Sequence, residues 1–141
     1  MTDLLPEKMN LEIVTPEQPL FSGEVDEITV PAVQGYLGIL PGHAPLLSEL
    51  RVGVISYRQG TEESHLFCSW GFLEILEDRV SVLAEKAESA DQIDVERART
   101  DQQEAEQLLR TGDEETDYAK ALLKMREAAT RLEVAAKAGR I

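Results

Sequence analysis

A chain of 141 residues with 27 acidic and 14 basic side chains, formally −13 at pH 7, has room for one ordinary domain or two very small ones. That charge argues against nucleic acid as a ligand, because phosphate recognition draws on clustered Lys and Arg. A 43% hydrophobic content is too high for a disordered tail, and a single cysteine, Cys68, leaves no internal disulfide or multi-Cys zinc site. No apolar run within Met1–Glu12 resembles a signal peptide, and none elsewhere nears the ~18 residues of a membrane span. A soluble, cytoplasmic protein is expected.

Turn-forming residues crowd the first half. All six prolines lie between Pro6 and Pro45, and seven of nine glycines lie between Gly23 and Gly71. Met9, Leu11 and Ile13 alternate with polar residues, the period of a half-buried strand. Further strands are predicted at Val25–Val30, Val52–Tyr57, Leu66–Trp70, Phe72–Leu76 and Val80–Leu83, with hairpin turns at Gln59-Gly60 and Glu77-Asp78-Arg79. So many short strands without crossover helices suit an antiparallel sandwich or barrel, and residues 1–87 are expected to be all-β.

Residues 88–141 read as two helices. From Asp94 to Arg110 there is neither Gly nor Pro; Asp94 is a candidate N-cap and Thr111-Gly112 a candidate stop. The inward face would be Val95, Ala98, Ala105 and Leu109. Asp113, Glu114, Glu115 and Asp117 would start the second helix, where the dipole favours acids. Along it Tyr118, Leu122, Met125, Ala129, Leu132 and Ala136 recur at spacings of 4, 3, 4, 3 and 4, a coiled-coil-like seam. An antiparallel helical hairpin follows, and the whole chain is read as α+β. Because alanine buries little area, such a hairpin is marginally held: it is either a static element or one that docks in one state and extends in another.

Charge is unevenly placed. Residues 1–90 carry −10, whereas residues 120–141 carry +4, from Lys120, Lys124, Arg126, Arg131, Lys137 and Arg140 against Glu127 and Glu133. This basic end either complements a helix C-terminus or docks an acidic partner. Catalytic chemistry is not evident. Two histidines, His43 and His65, are too few for a self-contained metal site, and Cys68 sits in a strand-like apolar stretch as a small core residue. Neither a G-x-S-x-G elbow nor a phosphate-binding P-loop is present, and Gly35-Tyr36-Leu37-Gly38 reads as a turn.

The run from Gly35 through Pro41-Gly42-His43-Ala44-Pro45 to Leu47 is more specific. With Leu20-Phe21-Ser22-Gly23, Gly71-Phe72-Leu73-Glu74-Ile75 and Val80-Ser81-Val82-Leu83-Ala84-Glu85, it resembles the epsilon subunit of the bacterial rotary F-type ATP synthase over essentially the whole chain. The resemblance implies a β-sandwich of about ten short strands followed by a helical hairpin. It also implies a non-catalytic central-stalk subunit on the cytoplasmic face of the bacterial inner membrane, touching the membrane only through the complex. The sandwich would bind the gamma subunit and the proton-carrying c-subunit ring, with His43 near those contacts. The hairpin would extend to meet an acidic segment of the beta subunit and impede ATP hydrolysis, with Lys124, Arg126 and Arg131 as contacts.

No cofactor is required on this reading, but some relatives bind regulatory ATP in the folded hairpin through I/L-D-x-x-R-A. Ile93-Asp94-Val95-Glu96-Arg97-Ala98 matches that pattern. The resemblance implies that Asp94 would hold the adenine amino group while Arg97 and Arg131 face the phosphates. Four positions before Arg131, where ATP-binding relatives carry another Arg, this chain has Glu127. The alternative is that Ile93–Ala98 simply starts the first helix.

Overall fold

The computed structural model describes residues 7–141, so the first six residues of the expected 1–87 unit lie outside it. Eight strands come first: β1 Met9–Val14, β2 Pro19–Val25, β3 Glu27–Ala32, β4 Gly35–Ile39, β5 Leu46–Leu50, β6 Gly53–Gln59, β7 Glu62–Leu76 and β8 Arg79–Ser89. A short 3₁₀ turn at Ala90–Gln92 leads into α1, Val95–Thr111, and α2, Tyr118–Lys137. The fold is α+β, a β-sandwich followed by a helical hairpin.

Among the described residues there are eight strands rather than about ten, and Leu66–Trp70 and Phe72–Leu76, expected as two, belong to one 15-residue strand. The chain turns within it at Trp70 (φ 60°) and Gly71 (φ 149°); Trp70 has no partner in the ladder, and pairing with β8 resumes in the same register at Gly71. Before this corner β7 pairs with β6, and after it with β5, while β8 accompanies both halves. Two leaves therefore share β7 and β8. Only Gly fits at the corner: a Cβ on residue 71 would stand 2.3 Å from the Leu83 carbonyl oxygen.

Other differences have local causes. The predicted strand Val25–Val30 breaks at Asp26, whose carboxylate accepts from Lys8 Nζ at 2.6 Å and from the Gly60 amide at 2.7 Å. These partners hold its carboxyl below the usual range. Gly35–Gly38 is not a turn but most of β4; the turn is Val33-Gln34, which joins β3 to β4 as an antiparallel pair. One pairing is parallel, β1 with β8. The predicted hairpins are present as two-residue connections, Gly60-Thr61 and Glu77-Asp78.

Between the leaves lies a core, mainly of Val, Ile and Leu, drawn from all eight strands and including Met9, Leu11, Ile13, Ile28, Leu50, Leu73 and Ile75. Cys68 is in it, and burial pushes its thiol up to about 12, so it is an inert core residue.

Both helices are capped as aspartates allow. Asp94 accepts from the Arg97 amide and Asp117 from the Lys120 amide, each at 3.0 Å. The second helix thus begins at Tyr118, and Asp113, Glu114 and Glu115 stand in the connection before it. The inward face of α1 is as expected: Ala98 and Ala105 are buried, Val95 and Leu109 partly so. That of α2 is not. Its buried residues are Ala121, Glu127, Ala128, Val134 and Ala135, whereas Tyr118, Leu122, Ala129 and Ala136 of the predicted seam are exposed. The cause is that α2 has two neighbours, α1 on one side and β6 and β7 on the other.

Candidate functional site

Chemistry-bearing residues gather where the hairpin lies on the sandwich. A strand covered on one face only alternates, but Leu66, Phe67, Cys68 and Ser69 are buried in succession. Leu66 and Cys68 face the main core, while Phe67 joins a second cluster with Val54, Ile93 and Val134 that seats α2. Charged side chains flank this cluster. Arg131 Nε and Nη2 donate to the two carboxylate oxygens of Glu88 at 2.9 and 3.0 Å, and the guanidinium lies 4.2 Å from the Phe67 ring centroid. Beside it, Ser69 Oγ donates to Glu127 at 2.5 Å and Lys86 Nζ approaches the same carboxylate at 3.3 Å. Arg140 donates to the carbonyls of Ala90 and Ile93 at 2.6 and 2.7 Å, tying the end of α2 to the linker.

Asp94, Arg97, Ala98 and Arg131 line one cleft of about 250 Å³ together with Glu88, Gln92 and Asp101. Ile93 does not face it, being 2% exposed in the apolar cluster. Both arginines have carboxylate partners, Arg131 with Glu88 and Arg97 with Asp101 at 3.5 Å. The lining carries three acids against two bases, so a polyphosphate entering it must displace Glu88 from Arg131.

The remaining basic candidates point elsewhere. Lys124 donates to Glu104 of α1 at 2.9 Å, which holds that carboxyl below its usual range. Arg126 lines an open groove with Val33, Arg51, Trp70 and Leu122, and the Arg51 guanidinium lies over the Trp70 ring at 5.3 Å. His43 is distant in sequence and setting, on the β4–β5 connection, where Nδ1 contacts the Ala44 carbonyl at 2.7 Å. His65 is set against Ser56 Oγ at 2.7 Å, and burial lowers its pKa.

Sequence reasoning passed over Ser69, Lys86 and Glu88 as partners of α2. A signal existed on α2 itself, since Glu127, Arg131 and Val134 fall at spacings of 4 and 3 along one face. Also missed was an apolar strip on the other leaf. Leu47, Phe72, Leu76 and Leu83 are each more than half exposed. Phe72 and Leu83 are cross-strand partners, and Val14 is the partner of Leu83 on the far side. They border a hollow of about 500 Å³ rimmed by Glu49 and Glu85. Among the described residues no group of three or more His, Cys, Asp or Glu is placed to hold a metal ion. Among the same residues no helix is long and apolar enough to cross a membrane.

The sequence profile of the ATP synthase, Delta/Epsilon chain, beta-sandwich domain matches residues 8–90, and that of the long alpha-helix domain of the same chain matches residues 91–136. An ATP synthase epsilon chain of Geotalea uraniireducens is 41% identical over 137 residues, covering 96% of this chain and 99% of the relative. One of Desulforamulus reducens is 45% identical over 125 residues, covering 89% and 95%. Among solved structures, a chain of the Euglena gracilis mitochondrial ATP synthase OSCP/F1/c-ring assembly superposes with a TM-score of 0.81 at 21% identity, over 96% of this chain and 86% of that one. A chain of the Tetrahymena thermophila mitochondrial central stalk and c-ring gives 0.60 at 15% identity, over 91% and 96%.

Proposed function

The chain belongs to the ATP synthase delta/epsilon family, and from that premise we propose that it is the central-stalk epsilon subunit of a proton-translocating F-type ATP synthase. It performs no chemistry of its own. Its sandwich joins the gamma subunit to the c-subunit ring and so couples ring rotation to ATP synthesis. It sits peripherally on the cytoplasmic face of the bacterial inner membrane. Its hairpin leaves the sandwich, meets an acidic segment of the beta subunit through Lys124, Arg126 and Arg131, and restrains ATP hydrolysis.

The observation that carries this reading is the nature of the junction. The hairpin rests on a cluster of only four buried apolar residues, Val54, Phe67, Ile93 and Val134, with charged groups around it. An interface so small and so polar separates at modest cost. On the opposite leaf, the Phe72–Leu83 strip is an apolar surface of the kind a permanent partner covers, and the acids at its rim suit a partner with basic flanks.

The test is ATP hydrolysis by a catalytic head depleted of its own epsilon subunit, with and without this chain. A concentration-dependent fall is expected, weakened several-fold by Lys124→Glu with Arg126→Glu while binding to the head persists. Failure of the chain to bind the head overturns the assignment. Binding with inhibition that ignores these charges leaves the coupling role and removes the proposed contacts.

A second reading, that ATP sets the hairpin state, has one observation in its favour: Asp94, Arg97, Ala98 and Arg131 line a single cleft. Since Glu88 already occupies the Arg131 fork, the affinity would be weak. Titration calorimetry with ATP against wild type and Arg97→Ala decides it; no heat with either protein removes this reading.

A further inference from the structure

Two polar side chains are buried among the described residues, Ser69 at 1% and Glu127 at 7% exposure, and they are each other's partners. They lie 58 positions apart, one on β7 and one on α2, so their bond spans the junction between sandwich and hairpin. Lys86 of β8 supplies the opposing charge from the exposed rim at 3.3 and 3.4 Å. All the polar atoms this group buries have partners.

A buried carboxylate is an unfavourable choice for mere adhesion. Apolar residues of similar volume usually hold an interface as well or better, because no charge must be stripped of water. Its physical effect is different. The bonds fix α2 at one rotation and height against β7, and when α2 leaves, water solvates Glu127, Ser69 and Lys86 at once. The second clasp, Glu88 on Arg131, is of the same kind. In both, a carboxylate of the chain itself meets the cation or donor, so no bound anion is needed to complete the docked state.

We infer that Glu127, with Ser69 and Lys86, is a reversible ionic latch that holds the hairpin on the sandwich without a bound nucleotide. The inference rests on the mobile-hairpin reading for its biological consequence alone, since docking is measured on the isolated full chain and inhibition is measured separately. Glu127 is a positioning residue whose replacement by an apolar group tightens the junction rather than loosening it.

The experiment follows docking by small-angle scattering and by hydrogen exchange of the α2 and Phe67 amides, without nucleotide and in rising salt. Wild type is expected to be compact without ATP, with the undocked fraction growing with salt as the rim charges are screened. Ser69→Ala, which strips a donor from a buried carboxylate, is expected to raise the undocked fraction about tenfold or more. Ser69→Ala with Glu127→Met is expected to restore docking beyond wild type and to reduce its salt dependence to the part that the Glu88–Arg131 pair still supplies. A merely structural role would make the double variant no better than the single one. Compaction that appears only on adding ATP, or docking unmoved by Ser69→Ala, overturns the latch. If the latch variants behave as expected yet none alters hydrolysis by the catalytic head, the latch stands and the regulatory reading falls.

Discussion

Gly71 is the residue on which the two-leaf architecture turns. Its φ of 149° and the 2.3 Å that would separate a Cβ from the Leu83 carbonyl oxygen combine two costs, backbone strain and a clash with backbone that cannot step aside. Gly71→Ala should lower unfolding free energy by about 2 kcal/mol or more. Urea denaturation checks this, read as a fall in midpoint at constant slope. Neighbouring Trp70, also at positive φ, takes its strain without a clash of this kind because it stands outward, 38% exposed, under Arg51. A break at Gly71 was visible in the sequence, between the segments Leu66–Trp70 and Phe72–Leu76. What it did, bending one long strand rather than separating two, was not, since a turn and a corner use the same residue.

At the scale of elements, the informative departure is the face of α2. The Leu and Met pattern selects a seam of Tyr118, Leu122, Met125 and Leu132, yet the buried stripe is Ala121, Ala128 and Ala135, at heptad spacing, with Glu127 and Val134 beside it. Ala98 and Ala105 form the matching stripe on α1. Small residues let two helix backbones approach closely, and Tyr118 and Leu122 are left facing solvent while Met125 and Leu132 are only partly buried. Ala128→Leu should therefore cost about 1–3 kcal/mol through overpacking, whereas Leu122→Ala should change stability by less than about 0.5 kcal/mol. Thermal unfolding of the two variants tests both, and equal effects would return the seam to its sequence-based position. The cap at Asp94 was easier to read, because an N-cap is a local hydrogen bond that needs no knowledge of what the helix packs against; Asp117 was placed at the start of α2 with three other acids, not singled out as its cap.

For the whole molecule, the two leaves of the sandwich present different surfaces. One leaf is covered by the hairpin, and the other presents Leu47, Phe72, Leu76 and Leu83 to solvent. If the uncovered strip is where a gamma-type subunit rests, Leu83→Asp should abolish co-purification with gamma while far-ultraviolet circular dichroism and melting temperature stay near wild type. Leu83 is 53% exposed, so the charge need not be buried in the free chain. Retained co-purification would move that contact to another part of the sandwich.

The sequence by itself determined β1, β3, β6, β7 and β8 in outline, though not β2, β4 or β5, together with the two helices, the cap of the first at Asp94 and the resemblance of the whole chain to one family. These follow from periods of two and of three to four, from Gly and Pro, and from local side-chain bonds, all of which act over a few residues. Tertiary structure alone decided that β1 lies parallel to β8, that Asp94, Arg97 and Arg131 share a cleft with Glu88, and that Glu127 finds Ser69. Each of these brings together distant parts of the chain, Arg131 of α2 to the Glu88–Arg97 stretch in the cleft, and Glu127 to Ser69 across 58 positions. Their pairing depends on how two leaves and a hairpin pack at once, and no window along the sequence contains both partners.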